Sequence, residues 1–154
     1  PDYIKGGYYI IKLAEMLKGE NVKIIAAGSY PENLKVPDNI LLLGKVSDQN
    51  RLAELYSMAD ITVIASKRET FSMVCAESLC CGTPVAGFKA GGPEAISLDK
   101  YSRFVDYGDL KSLYTAVNDL LREARNGEKI SKDASAAYGS RVMSENYINI
   151  YRSF

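Results

Sequence analysis

Two glutamates, Glu69 and Glu77, lie eight positions apart around a predicted helix start and are well suited to bind a ligand. Carboxylate oxygens accept hydrogen bonds from hydroxyl groups, and Glu77 could accept from both hydroxyls of a ribose. Ser72 lies between them as a predicted N-cap. The free amides after such a cap, at the positive end of the helix dipole, suit a diphosphate. The pattern therefore predicts a site for a nucleotide that carries a sugar.

The spacing along the helix supports this arrangement. Five residues separate Ser72 from Glu77, which is a rise of roughly 7.5 Å and about the span from a phosphate to the ribose hydroxyls. Met73 lies on the same helix face as Glu77. Glu69 precedes the helix, on the other side of the phosphate position, where it could hold hydroxyls of the sugar. Taken alone, Glu69 would be interpreted as a solvated surface charge, so its functional interpretation depends on the surrounding pattern.

Buried strands are predicted on both sides of this helix. Residues 61–65 form an apolar run, Cys81 and Gly82 end the helix, and residues 84–87 form the next strand. In open α/β sheets, ligands bind outside the carboxyl ends of the strands, where helix N-termini also point their free amides. Gly91 and Gly92 follow the second strand and could let the backbone approach the same ligand, although a glycine pair alone is a weak signal.

The rest of the chain predicts a strand and helix alternation that would position this site. Helices are expected at 7–18, at 48–58 with Ser47 as cap, at 94–97, from the Asp109 cap to 124, at 131–138 and at 144–154, and strands at 22–27, 40–43 and 102–105. Residues 29–39 are expected to form a loop. This alternation predicts a Rossmann-like, doubly wound α/β fold with a parallel sheet and right-handed crossovers.

The composition predicts one globular domain. The chain has 154 residues, of which 47% are hydrophobic, enough for a single packed core. Nineteen basic residues balance nineteen acidic ones, so nucleic acid is not an expected partner. No apolar run approaches the roughly 20 residues that span a bilayer. Residues 1–3 do not open a signal peptide, and a cytoplasmic location is therefore expected.

The residue types also exclude several kinds of chemistry. The absence of histidine excludes histidine bases, Ser-His-Asp or Cys-His nucleophile systems and histidine metal ligands within this chain. Cys75, Cys80 and Cys81 lack the spacing of a paired-cysteine metal motif and are interpreted as small core residues. No Asp-x-Asp pair is present to hold a divalent metal. We therefore expect chemistry without metal or cofactor, in which cations and helix amides stabilise the leaving group.

These residues resemble the retaining GT-B glycosyltransferases of family 4, whose signature is a glutamate, seven residues and a second glutamate. In this chain the signature runs from Glu69 to Glu77. The resemblance continues in Cys81-Gly82-Thr83-Pro84-Val85, in Gly91-Gly92-Pro93-Glu94 and in Leu55-Tyr56-Ser57-Met58-Ala59-Asp60. It covers nearly the whole chain.

The resemblance implies a role for several residues. Glu77 would bind the ribose, Glu69 and the backbone of Phe71-Ser72-Met73 would bind the donor sugar and the diphosphate, and the Gly44-Lys45-Val46 turn would lie near the base. Lys5 resembles the family's lysine that faces the diphosphate. Glu69 and Lys5 are therefore the candidate catalytic residues.

The resemblance also implies that residues 1–154 are part of a larger enzyme. They would form its C-terminal nucleotide-sugar-binding domain, one half of a GT-B fold. The N-terminal acceptor domain, the first strand and the arginine expected five residues before Lys5 would all precede Pro1. The donor would be a UDP- or GDP-sugar, and the missing N-terminal domain a partner. The enzyme would act in cell-surface polysaccharide synthesis, and its acceptors would include one held at a membrane surface.

Two other functions remain open from the sequence. One is a non-catalytic nucleotide-binding or interaction module, against which the intact pair of Glu69 and Glu77 argues. The other is a GT-B sugar-nucleotide epimerase, which would usually use further acidic and histidine residues from both domains. Under the glycosyltransferase interpretation, this part of the enzyme is expected to bind donor without turning it over.

Overall fold

The computed structural model describes residues 5–153, in which helices and strands follow one another, except that a loop and no helix joins the first two strands. The helices are α1 (Gly7–Met16), α2 (Gln49–Met58), α3 (Met73–Cys80), α4 (Gly92–Ile96), α5 (Leu110–Arg122), α6 (Gly127–Tyr138) and α7 (Ser140–Arg152). The strands are β1 (Ile24–Ala27), β2 (Ile40–Gly44), β3 (Thr62–Ile64), β4 (Val85–Phe88) and β5 (Ser102–Val105). Their order and types agree with the sequence prediction.

The strands form two parallel ladders. β1 pairs with β2, and β3, β4 and β5 form a second ladder in that order. Within residues 5–153, no strand pairing joins β1 to β3. The parallel pairing confirms the predicted α/β class, although the described strands do not form one continuous sheet. The expected additional first strand falls outside the described residues.

The core lies on both faces of β4. Ala86 and Phe88 pack on one face with Leu113 and Val117 of α5 and with residues of α1. Val85 packs on the other face with residues of α3 and α6. Because successive strand side chains point to opposite faces, β4 is buried along its whole length and fixes the position of the loop that follows it.

The three cysteines belong to this core region, as predicted. Cys75 is fully buried in α3, and Cys80 and Cys81 are partly buried at its end. Burial raises the pKa of the Cys75 thiol to about 12. The thiol is therefore protonated at neutral pH and packs as a small apolar side chain.

Several helix boundaries differ from the prediction because side-chain capping decides where a helix begins. Asp48, and not Ser47, caps α2, since its carboxylate accepts from Arg51 N. The side chain of Asn126 caps α6, since it accepts from the Lys129 amide. That helix therefore begins at Gly127, four residues earlier than expected. The predicted Asp109 cap of α5 is confirmed.

Helix α7 is attached to α6 and contributes no buried residue. It begins at Ser140, earlier than the predicted residue 144. Its exposed apolar residues are Met143, Tyr147, Ile148, Ile150 and Tyr151. In the part of the chain that the structure describes, no helix is both long and apolar enough to cross a bilayer.

Candidate ligand-binding site

The loops after β3 and β4 are joined at Glu69. The Glu69 amide donates to Ala90 O at 2.9 Å, and the Gly92 amide donates to Glu69 O at 2.9 Å. These bonds form a short parallel bridge between Glu69 and Gly91. The glycine pair therefore lies beside the first glutamate, at the carboxyl ends of adjacent parallel strands.

The close approach of these loops requires glycine at position 92. A Cβ atom on Gly92 would lie 2.8 Å from both Phe71 N and Thr70 C, which is too close for any side chain. Gly91 has a φ of +97°, in the region that favours glycine. A larger residue at position 92 would push the 69–72 loop away from β4.

Glu94 shapes the same glycine loop. Its carboxylate accepts from the amides of Ala90 at 2.8 Å and Gly91 at 2.7 Å. Burial alone would raise the pKa of the Glu94 carboxyl, but these amide bonds and nearby Lys89 bring its pKa below the ordinary value. Glu94 entered the sequence analysis only through the resemblance. The capping-box spacing from Gly91 to Glu94 could have identified it.

The two candidate catalytic residues, Lys5 and Glu69, contact each other. Lys5 Nζ lies 2.8 Å from Glu69 Oε1, with 62% of the lysine side chain and 18% of the glutamate side chain exposed. Burial alone would raise the pKa of Glu69, but hydrogen bonds from Lys5 and Ser66 lower it below the ordinary value. The structure thus brings together both predicted residues, and it pairs them with each other.

Ser72 occupies the predicted N-cap position of α3 but does not cap it with its side chain. Its φ and ψ are 68° and 74°, a left-handed conformation, whereas side-chain capping uses the β region. It is the one non-glycine residue with positive φ within residues 5–153. Its hydroxyl is buried, with no hydrogen-bond partner in the described structure. The prediction of the helix start was correct, and the prediction of a side-chain cap was wrong.

The first two backbone amides of α3 have no acceptor inside the helix. The amides of Cys75 and Ala76 donate to Ser72 O at 3.0 and 3.4 Å. Met73 and Val74 come before these bonds, so their amides have no acceptor inside the helix. The side chains of Phe71 and Met73 are 47% and 60% exposed, which leaves this end of the helix open to solvent.

Glu77 has an internal partner that the sequence analysis missed. Tyr56 of α2 donates from its hydroxyl to Glu77 Oε2 at 3.2 Å. Burial raises the pKa of the Tyr56 phenol, and the neighbouring Glu77 carboxylate raises it further. Tyr56 is therefore a hydrogen-bond donor at neutral pH. Glu77 is half-buried, and this tyrosine supplies one hydrogen-bond partner for its carboxylate.

Arg125 connects the end of α2 to the turn after α3. Its guanidinium donates to Gly82 O and Thr83 Oγ1, both at 2.9 Å, and to the carbonyls of Ser57 and Ala59. Thr83 Oγ1 in turn donates to Tyr56 O at 2.6 Å. No local pattern in the sequence indicates these contacts of Arg125, which span more than 40 positions.

The predicted base-binding turn, Gly44-Lys45-Val46, lies at the carboxyl end of β2, in the other ladder. Gly44 has a φ of +76°, and its amide donates to the Tyr30 hydroxyl. In the described structure, no hydrogen bond joins this turn to the loop of Glu69 or to α3.

Within residues 5–153, no cluster of three or more acidic or cysteine residues could hold a metal ion.

Comparison with known proteins identifies the family. The family model described as "Glycosyl transferases group 1" matches residues 2–137. N-acetyl-alpha-D-glucosaminyl L-malate synthase of Bacillus anthracis is 27% identical over 150 residues, covering 91% of this chain and 39% of that protein. D-inositol 3-phosphate glycosyltransferase of Thermomonospora curvata is 40% identical over 87 residues, covering 56% of this chain and 20% of that protein. The chain thus spans less than half of these relatives.

Solved structures share the fold. Anabaena HepE in complex with UDP and glucose has a TM-score of 0.81 at 18% identity, covering 100% of this chain and 46% of that chain. Sucrose-phosphate synthase from Thermosynechococcus elongatus has a TM-score of 0.78 at 23% identity, covering 99% and 43%. These likenesses confirm the predicted half of a GT-B fold. Because the family model matches most of the sequence, the chain belongs to the glycosyl transferases group 1 family.

Proposed function

We propose that this chain is the donor-binding domain of a retaining glycosyltransferase that transfers a sugar from a UDP- or GDP-sugar to an acceptor. One observation carries the proposal. Glu69, the free amides at the start of α3 and Glu77 follow one another around the carboxyl end of β3, in a member of the family. The names of the curated relatives, and the UDP bound to HepE, support it.

Glu77 is the proposed ribose ligand. Tyr56 donates to one of its carboxylate oxygens, which fixes the side chain and leaves the other oxygen to accept hydroxyl groups of a ligand. The amides of Met73 and Val74 would then bind the diphosphate one helical turn away. The Gly44-Lys45-Val46 turn at the end of β2, in which Lys45 is exposed, is the proposed contact with the base.

Lys5 and Glu69 are the proposed catalytic residues. In the transfer, the bond between the anomeric carbon and the donor phosphate oxygen would break and a bond from that carbon to an acceptor hydroxyl oxygen would form. The nucleoside diphosphate would leave with the negative charge and take up the proton of the acceptor hydroxyl. Lys5 and the amides of α3 would stabilise this charge without a metal ion or other cofactor. Glu69 would accept hydroxyl groups of the sugar, and Lys5 would exchange part of its contact with Glu69 for the diphosphate.

The remaining features of the whole enzyme are also proposals. An N-terminal domain would supply the acceptor site, so residues 1–154 would bind donor without turnover. The enzyme would act in the cytoplasm, in the synthesis of a cell-surface polysaccharide. Its acceptors would include one held at a membrane surface.

Calorimetric titration of the chain with UDP, GDP and ADP tests the site. One nucleotide should bind selectively. Glu77→Gln should weaken the binding of that nucleotide by roughly 1–3 kcal/mol, because a charge-assisted hydrogen bond to ribose is lost. Glu145→Gln is the control, since Glu145 lies on exposed α7 and pairs with Arg141. Equal affinities in all three proteins would contradict the role of Glu77.

Product analysis of the full-length enzyme with a labelled donor separates the three candidate functions. Label on an acceptor or in free sugar supports the glycosyltransferase. An isomerised sugar nucleotide supports an epimerase, and an unchanged donor supports a non-catalytic module.

A further inference from the structure

The glycine loop between β4 and α4 is held by a glutamate on each side. On one side, the Glu94 carboxylate accepts from the amides of Ala90 and Gly91, at 2.8 and 2.7 Å. On the other side, the Glu69 amide donates to Ala90 O, and Glu69 O accepts from the Gly92 amide, both at 2.9 Å. The two glutamates are therefore connected through the backbone of this loop.

One peptide unit makes the connection. The carbonyl of Ala90 and the amide of Gly91 belong to the same planar trans unit, so its C=O and N–H bonds point in opposite directions. The N–H donates to Glu94 Oε1, and the carbonyl oxygen accepts from Glu69 N. A charged acceptor on the N–H polarises the unit and makes its carbonyl a better acceptor. Glu94 therefore strengthens the bond that holds the Glu69 backbone.

The orientation of this peptide unit depends on the Glu94 carboxylate. Gly91 has a φ of +97°, and glycine adopts positive and negative φ about equally well. Without the carboxylate, the unit between Ala90 and Gly91 could rotate and turn Ala90 O away from the Glu69 amide. The bond from the Gly92 amide to Glu69 O would then hold the loop of Glu69 without its partner.

Glu94 acts on a ligand indirectly, through this loop. Each of its carboxylate oxygens already accepts a backbone amide. Burial would raise the pKa of its carboxyl, but the amide bonds and nearby Lys89 keep that pKa below the ordinary value, so Glu94 is ionised at neutral pH. Glu69 is the member of the pair that contacts Lys5, at 2.8 Å. The direction of the Glu69 side chain follows from its backbone, so a change in the loop reaches its carboxylate.

We propose that Glu94 is a positioning residue for Glu69, which directs the Glu69 carboxylate towards the sugar of the bound donor. This inference rests on the proposed function, in which Glu69 accepts hydroxyl groups of the sugar. Glu94 would therefore set the affinity for the sugar part of the donor. The affinity for the nucleotide part, which is assigned to Glu77 and the α3 amides, would change little.

Amide hydrogen exchange in Glu94→Gln, followed by NMR, tests the structural step without a ligand. Glutamine has one acceptor oxygen, and its NH2 group would oppose one of the two loop amides. Exchange at the Glu69 amide should be roughly tenfold faster or more, since its acceptor is no longer held. The Val85 amide is an internal reference for the stability of the whole fold, because it donates to Tyr101 O within the sheet.

Glu128→Gln is the matched control for this experiment. Glu128 is exposed in the first turn of α6, as Glu94 lies in the first turn of α4, so both substitutions remove one charge from the same position in a helix. The control should leave exchange at Glu69 unchanged. Equal exchange of the Glu69 amide in the two variants would overturn the proposal.

Calorimetric titration of the same variants tests the functional step. The probes are UDP and GDP and, for each, its glucose, galactose, mannose and N-acetylglucosamine conjugates. The comparison uses the sugar nucleotide that the unsubstituted chain binds most tightly. Glu94→Gln should weaken the binding of this sugar nucleotide roughly tenfold more than the binding of its nucleoside diphosphate. Glu128→Gln should change neither affinity.

The titration separates failure of this inference from failure of the proposed function. Equal weakening of the sugar nucleotide and the nucleoside diphosphate in Glu94→Gln would overturn the inference, because it would show a general structural role. An unsubstituted chain that binds neither UDP nor GDP would contradict the proposed donor site. In that case exchange at the Glu69 amide would still decide whether Glu94 holds Glu69 in place.

Discussion

Single residues carry backbone strain at the proposed donor site. Ser72 holds a left-handed conformation that costs a serine about 1–2 kcal/mol, and its buried hydroxyl has no partner within residues 5–153. Because the folded protein keeps both unfavourable features, the residues around Ser72 must hold it in this conformation. The conformation precedes the free amides of Met73 and Val74 at the open end of α3, where the diphosphate is proposed to bind.

Substitution of Ser72 separates these two costs. Ser72→Ala removes the unpartnered hydroxyl but keeps the strained φ, whereas Ser72→Gly removes both. After the greater flexibility of unfolded glycine is included, we expect Ser72→Gly to be more stable than Ser72→Ala by about 1 kcal/mol. Urea unfolding measures the difference. An alanine variant as stable as the glycine variant would show that position 72 relaxes and stores no strain.

The local sequence pattern predicted some contacts of individual residues but not others, for a physical reason. The Asp109 cap was predicted, because cap chemistry is local. The Tyr56 bond to Glu77 and the Lys5 bond to Glu69 join residues 21 and 64 positions apart. Only the fold brings such pairs together, and periodicity along the sequence contains no signal for them.

At the scale of elements, Arg125 holds α2 against α3. Its guanidinium bonds to carbonyls at the end of α2 and to Gly82 and Thr83 after α3. Those two helices carry Tyr56 and Glu77 respectively. Arg125 is therefore a positioning residue for the proposed ribose contact, although it lies in the connection between α5 and α6.

We expect Arg125→Met to lower the free energy of unfolding by roughly 2–3 kcal/mol, since several acceptors lose a charged donor. Arg141→Met is the matched control. Arg141 is 90% exposed and pairs with Glu145 on the same helix, so its loss should cost about 0.3–0.5 kcal/mol. Urea unfolding of both variants gives the comparison. Equal losses would mean that the Arg125 contacts contribute little.

Element types were predictable from the sequence because strongly periodic segments bury one face. Helix α5 buries Leu113, Val117 and Leu120 at helical spacing, and β4 is an apolar run bounded by turn residues. The division of the strands into two ladders was not predictable in this way. Strand order depends on which edges meet in space, and the alternation of strands and helices does not encode it.

At the scale of the molecule, α7 lies outside the packed body. It contributes no buried residue, and Tyr147, Ile150 and Tyr151 are exposed on it. The family match ends at residue 137, just before this helix begins. By contrast, α6 places Ile130 and Ala134 in the core with α3.

A chain that ends at Gly139 should keep its free energy of unfolding within about 1 kcal/mol, because no core contact is lost. Light scattering should also show less self-association, since exposed apolar side chains are removed. A chain that ends at Asn126 is the control, and it should lose about 3 kcal/mol or more with Ile130 and Ala134. A comparable loss of stability in the chain that ends at Gly139 would show that α7 supports the core.

The division of the strands into two ladders also affects the order of folding during synthesis. Each ladder comes from a continuous stretch, residues 24–44 and residues 62–105. Local contacts form early, so β1 and β2 can pair while residues 62–105 are still being made. A pair of two strands is only marginally stable in water. Until the second ladder and its helices follow, β1 and β2 expose unpaired strand edges of the kind that chaperones must protect from aggregation.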